Sequence, residues 1–178
     1  MLKKMILIMI TAAMLTGCAS SGLVHDKNYL RAVSVSGRER LEMTLAFFSD
    51  DEENVNVSGK DLDSALKNAE MKTGKPIFTG YTELVILGDC EYRDVLEEML
   101  NSWKVSPSCT VAYSESGGAV LRKNGAELLS GQIKRAEKQD IVRDSNIVKV
   151  LEELLGRRQS AELPEAGMNG ISSGIMIS

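Results

Sequence analysis

Between residues 82 and 114 the spacing of apolar positions changes twice. Residues 82–87 (TELVIL) form a short apolar run with Val85 and Ile86 at its centre, and Gly88-Asp89 ends it. The next apolar residues, Tyr92, Val95, Leu96, Met99, Leu100 and Trp103, step by three and four. That spacing places all six on one helical face. Ser106-Pro107 breaks the helix, and residues 110–113 (TVAY) read as a strand again. The stretch therefore predicts a βαβ unit, right-handed and with parallel strands.

Upstream, residues 29–36 (YLRAVSVS) alternate as a strand does, and Gly37-Arg38-Glu39 supplies a turn. Residues 40–48 return as the hairpin partner, with Leu41, Met43, Leu45 and Phe47 on one face. Ser58 is the expected N-cap of a helix whose stripe is Leu62, Ala65, Leu66 and Ala69, ended by Thr73-Gly74-Lys75-Pro76. Downstream, Gly117-Gly118 reads as a break. A short helix is expected from Ala119 and a longer one from Gly125 to about Lys138. Ser145 is the expected N-cap of a last helix with the stripe Ile147, Val148, Leu151, Leu154 and Leu155, and Gly156 just past its end. The segment 163–178, rich in Gly, Ser and Met, holds no complete element and is expected to be mobile. The pattern predicts one α/β (α+β-like) domain over residues 29–156. Its sheet is mixed, with an N-terminal antiparallel hairpin beside the parallel βαβ unit and helices packed on the sheet. Residues 157–178 are read as a flexible tail, the truncated start of a second domain.

The amino terminus adds an address. Lys3-Lys4 precede an apolar core, residues 5–15, that is too short to span a bilayer. Leu15-Thr16-Gly17-Cys18 then has the form of a bacterial lipobox. Small residues at 16 and 17 fit a signal-peptidase cleft, and the Cys18 thiol is the nucleophile that carries a diacylglyceryl thioether. Residues 1–17 are thus expected to be a lipoprotein signal peptide, lipidated Cys18 the first mature residue, and residues 18–28 a lipid-anchored tether. Two or more acyl chains hold a protein firmly, where one binds only marginally. The expected location is membrane-anchored and extracytoplasmic.

Composition narrows the chemistry. The chain has 178 residues and a net charge of −4, and removing Lys3 and Lys4 leaves about −6. That balance offers no electrostatic footprint for nucleic acid. His25 is the single histidine, so neither a histidine triad nor a multi-histidine metal site is available. Gly59-Lys60 and Gly74-Lys75 lack the remaining residues of a P-loop, and Gly117-Gly118 opens no dinucleotide fingerprint. The acidic run 50–53 lacks the ligand spacing and central glycine of a calcium loop, and reads as a solvated loop. Asp61/Asp63 and Glu97/Glu98 fall on polar helix faces, and Trp103 belongs to an apolar stripe. Cys90 and Cys109 lie at opposite ends of neighbouring parallel strands, about 15–20 Å apart, so they are expected to be free thiols. No catalytic residue, cofactor site or metal site is expected.

Several of these stretches together resemble the N-terminal domain of the Ger(x)C family, the lipoprotein C subunits of spore nutrient germinant receptors. The lipobox at 15–18 fits, and residues 29–48 look like that family's first hairpin. Gly59-Lys60-Asp61-Leu62-Asp63-Ser64-Ala65-Leu66 is similar to its glycine-polar-x-hydrophobic-x-x-Ala-Leu helix. Residues 78–88 (FTGYTELVILG) resemble its glycine-aromatic/His strand, with Tyr81 where a histidine is common. Residues 92–103 and 145–156 resemble its following and closing helices, and Leu163-Pro164 its entry into the next domain. Ala19-Ser20 stand where a Trp-Asp pair often follows the lipidated cysteine. Members of that family are longer and carry further domains. The resemblance implies a non-enzymatic subunit on the outer face of the spore inner membrane, acting in germination with two integral-membrane partners, the A and B subunits. It implies that any small-molecule germinant is met only indirectly, and Cys18 is the one functional residue carried over. A different class, a free-standing extracytoplasmic lipoprotein binding a small ligand or peptide, predicts instead a concave apolar pocket at the carboxyl ends of the βαβ strands.

Overall fold

The computed structural model describes residues 26–49 and 53–178. Cys18, His25 and the first three residues of the acidic run lie outside the described residues. In chain order the elements are β1 (Asn28–Ser36), β2 (Leu41–Phe47), β3 (Val55–Gly59), α1 (Leu62–Thr73), β4 (Ile77–Phe78), β5 (Leu84–Leu87), α2 (Tyr92–Asn101) and β6 (Thr110–Tyr113). They continue with α3 (Gly117–Asn124), α4 (Ala126–Lys138), α5 (Ile147–Leu155), β7 (Ala161–Gly167) and β8 (Gly170–Ile177).

The strands form one mixed sheet in the order β3-β2-β1-β5-β6-β7-β8, with β4 pairing the start of β1. β1 and β2 form the expected antiparallel hairpin, turned at Gly37 with φ +94°. A Cβ there would sit on the Arg40 carbonyl, so the turn requires glycine. β5 and β6 are parallel, with Leu84 opposite Thr110 and Leu87 opposite Tyr113, and α2 crosses between them as the periodicity predicts.

Helices cover the sheet on both faces. On one, α1, α2 and α5 bury Leu62, Leu96, Met99, Ile147 and Leu154 against Val33, Leu45, Val85, Leu87 and Val111. On the other, α3 and α4 bury Leu121, Leu129 and Ile133 against Ala32, Ile86 and Ala112. Strand residues contribute alternately to the two cores, which is why β5 reads as an unbroken apolar run.

The glycine and alanine of the helix motif at 59–66 touch. A Cβ on Gly59 would lie 2.4 Å from the Ala65 backbone N and 2.8 Å from its Cα. The end of β3 therefore passes directly over the first turn of α1, and the motif spacing records that contact. Asp61 rather than Ser58 caps this helix: its carboxylate accepts from the Ser64 N–H at 2.7 Å, and the Ser64 hydroxyl accepts from the Asp61 N–H at 3.1 Å. Ser58 instead belongs to β3, a short strand in which Val55 and Val57 alternate with Asn56 and Ser58 and which is absent from the elements expected above.

Three further expectations are overturned. The segment read as a mobile tail and the start of a second domain is a hairpin, β7 and β8, that extends the same sheet beyond β6. Ala161, Leu163, Ala166 and Ile177 are buried, so the domain runs through residue 177 and does not stop at 156. A register shift between Pro164 and Glu165 breaks the period of two and hides the strand from a pattern search. Gly117-Gly118 is the start of α3, not a break. Cβ atoms there would lie 2.9 Å from Ile86 Cγ2 and 2.5 Å from Thr44 Oγ1, so the glycine pair lets the helix begin in contact with the sheet. At α5 the cap is Asn146, which accepts from the Lys149 N–H at 3.0 Å, while Ser145 is wholly buried.

Candidate functional site

The parallel register fixes the two cysteines. Cys90 follows the carboxyl end of β5 and Cys109 precedes the amino end of β6, so the sheet separates them. Both are free and buried. Burial pushes the Cys90 thiol up to about 12, helped by the neighbouring Asp89 and Glu91 carboxylates, and burial likewise holds Cys109 at about 12. Neither is an activated nucleophile, because reactive thiols need a lowered pKa and access to solvent.

The folded chain thus favours the protonated thiols. Above pH about 9, where an unfolded thiol ionises, the unfolded state holds fewer protons and stability falls, by about 1.4 kcal/mol per pH unit for each thiol, until the folded groups ionise near 12. The Cys90→Ala/Cys109→Ala variant is expected to lose stability less steeply than the parent between pH 9 and 11 in urea unfolding. Tyr92 and Tyr113, whose hydroxyls burial also raises, remain to give a residual slope. Equal slopes in the two proteins would contradict the assignment.

At the carboxyl ends of β1 and β6 the sheet opens into a trough of about 560 Å³. Its wall carries Ser34, Ser36 and Thr44 from the first hairpin and Asn56 from β3, with Ser116 and Arg122 from the α3 side. Arg122 Nη1 donates to Asn56 Oδ1 at 2.7 Å, and Thr44 Oγ1 donates to the same oxygen at 2.8 Å. Glu42 and Glu115 stand at its margin. The position is where an open α/β sheet offers a site, yet the lining is hydroxyl and charge rather than the apolar surface expected for a ligand-binding lipoprotein. It can hydrogen-bond a polar solute. Among the described residues no group of three His, Cys, Asp or Glu side chains is arranged to hold a metal ion.

A second concavity, about 480 Å³, is apolar and lies between α2 and α5. The stripe read for α5 divides in two, and Val150, which lies outside that stripe, joins the buried part. Ile147, Val150 and Leu154 enter the core, whereas Val148, Leu151 and Leu155 form a separate row at i, i+3 and i+7. Leu151 packs partly against the core, Val148 and Leu155 are about half exposed, and Leu100 of α2 completes the groove. Sequence periodicity assigns all the apolar residues of so short a helix to one face, and only the contacts show which row is covered.

Among the described residues no helix is long and apolar enough to cross a membrane. Cys18, where lipidation is expected, lies outside the described residues. Compared with known family models, curated proteins and solved structures, the chain matches none.

Proposed function

We propose that this chain is a lipid-anchored, non-enzymatic subunit of a spore nutrient germinant receptor, held outside the cytoplasm by Cys18 and working with integral-membrane A and B subunits. The observation that carries the reading is the outward apolar row of α5. A helix with one row in the core and a second half exposed is built to be covered by another protein. The lipobox and the resemblance of residues 29–156 to the Ger(x)C N-terminal domain name the kind of complex. The close packing of Gly59 on Ala65 supports that resemblance, since it gives the shared motif a structural reason.

The test is nutrient-triggered dipicolinate release in a deletion strain, complemented with the parent or with Cys18→Ala. Deletion is expected to abolish the response to one nutrient class, the parent to restore it and Cys18→Ala to leave it lost. Normal germination in every strain sinks the receptor reading. The second reading, a free-standing lipoprotein binding a small polar ligand or a peptide, is favoured by the hydroxyl-lined trough. It would then stand first.

A further inference from the structure

Half of the aromatic side chains of a chain with three Phe, four Tyr and one Trp gather at the end of the sheet opposite the trough. Tyr29 begins β1, Phe48 follows β2 beside it, Phe78 lies on β4 opposite Tyr29, and Tyr81 sits in the β4–β5 loop. Tyr29 and Tyr81 stack at 5.9 Å between centroids, Phe78 meets Tyr81 edge-on at 5.0 Å, and Arg31 lies 5.1 Å from the centroid of the Phe48 ring. Unlike a core cluster, these rings stay open: Phe48 is 41%, Phe78 38% and Tyr81 60% exposed. Gly80 lies so close to Phe78 that a Cβ would sit 2.8 Å from Cζ, so glycine leaves the ring room to lie over the loop.

We infer that this aromatic surface seats the domain on the lipid headgroup interface. The inference rests on the lipid anchor proposed above. The residue that enters the fold from the anchor side is Asn28, directly beside Tyr29. The ten backbone steps from Cys18 to Asn28 span at most about 35 Å even when fully extended. A domain of this size has a radius of gyration of about 15 Å. The tether joins the fold at the aromatic end, so that end starts nearest the anchor and the trough lies at the far end of the sheet. Tyrosine rings, apolar in body and polar at the tip, settle at headgroup depth, and phenylalanine adds apolar surface to bury at that boundary. Arg31 is paired with Glu83 at 3.1 Å and with Glu127 at 3.0 Å, while Lys134 shares the concave surface of Phe48 and Tyr81. The patch is thus close to neutral, and ring burial rather than attraction to anionic lipid seats it.

The test uses the mature, membrane-extracted protein reconstituted into phosphatidylcholine vesicles, with and without phosphatidylglycerol. In a Trp103→Phe background, single reporters are placed as Phe78→Trp, Tyr81→Trp or, on the α5 groove, Leu155→Trp. Lipids brominated near the glycerol are expected to quench reporters 78 and 81 about twofold, leaving 155 unquenched and phosphatidylglycerol without effect. Quenching at 155 equal to that at 78 and 81 would overturn the inference. So would vesicle-bound protein with no quenching at any position, which would assign the rings to a protein partner. The mass of the mature chain reports the anchor separately: an unmodified Cys18 removes the anchor reading, and flotation of that chain with the same vesicles then decides the patch alone. Failure to float overturns it.

Discussion

A mature chain ended after Gly156 is expected to lose its cooperative fold. The removed segment contributes Leu163 and Ile177, at 0% and 4% exposure, to the core beneath α5. It also contributes Ala166 to the core beneath α4. Burying each large aliphatic side chain is worth about 1.5–3 kcal/mol, so these two alone supply about 3–6 kcal/mol, a large part of the stability of about 5–15 kcal/mol expected of a domain. The cut also strips β7 from β6, leaving the uncharged strand TVAY as a new sheet edge. The truncated protein is expected to be insoluble, or soluble without a sigmoidal thermal transition. A melting temperature equal to that of the parent would mean that the hairpin adds nothing to the fold.

Leu96→Ala is expected to have the largest effect of any single truncation of an α2 side chain. Leu96 is fully buried, facing the sheet from the middle of the crossover helix, and the shortened side chain leaves a cavity that rigid strands fill poorly. A cost of about 2–5 kcal/mol lowers the melting temperature by about 5–15 °C for a domain of this size. Leu155→Ala, on the exposed row of α5, is expected to shift it by no more than about 2 °C. The pair separates two roles for apolar helix residues: Leu96 maintains the fold, and Leu155 is available to a partner. A Leu155→Ala variant as damaged as Leu96→Ala would place that residue in the core and remove the docking groove.

The cysteines show how far local pattern and topology reach together. Once residues 82–113 are read as parallel strands joined by a helix, Cys90 and Cys109 must fall at opposite ends and their free state follows, whereas only the fold shows that both are fully buried. The glycines show the reverse. Gly117 and Gly118 look like a break because glycine is poor in helices, but their positions are dictated by Ile86 and Thr44, distant in sequence and adjacent in space.

By itself the sequence determined the elements whose spacing and punctuation match a local geometry: the β1–β2 hairpin, α1, the β5–α2–β6 unit, α4 and α5. It also carries the stretch Leu15-Thr16-Gly17-Cys18, on which the proposed lipid anchor rests without reference to any fold. Only tertiary structure decided the rest. β7 and β8 form because β6 offers its edge and two cores accept Leu163, Ile177 and Ala166 there, across a register shift that erases periodicity. Which row of α5 is covered depends on where α2 lies. Tyr29, Phe48, Phe78 and Tyr81 form one surface only because β1, β2 and β4 meet side by side, and pairing between distant segments leaves no trace in the spacing of residues along the chain.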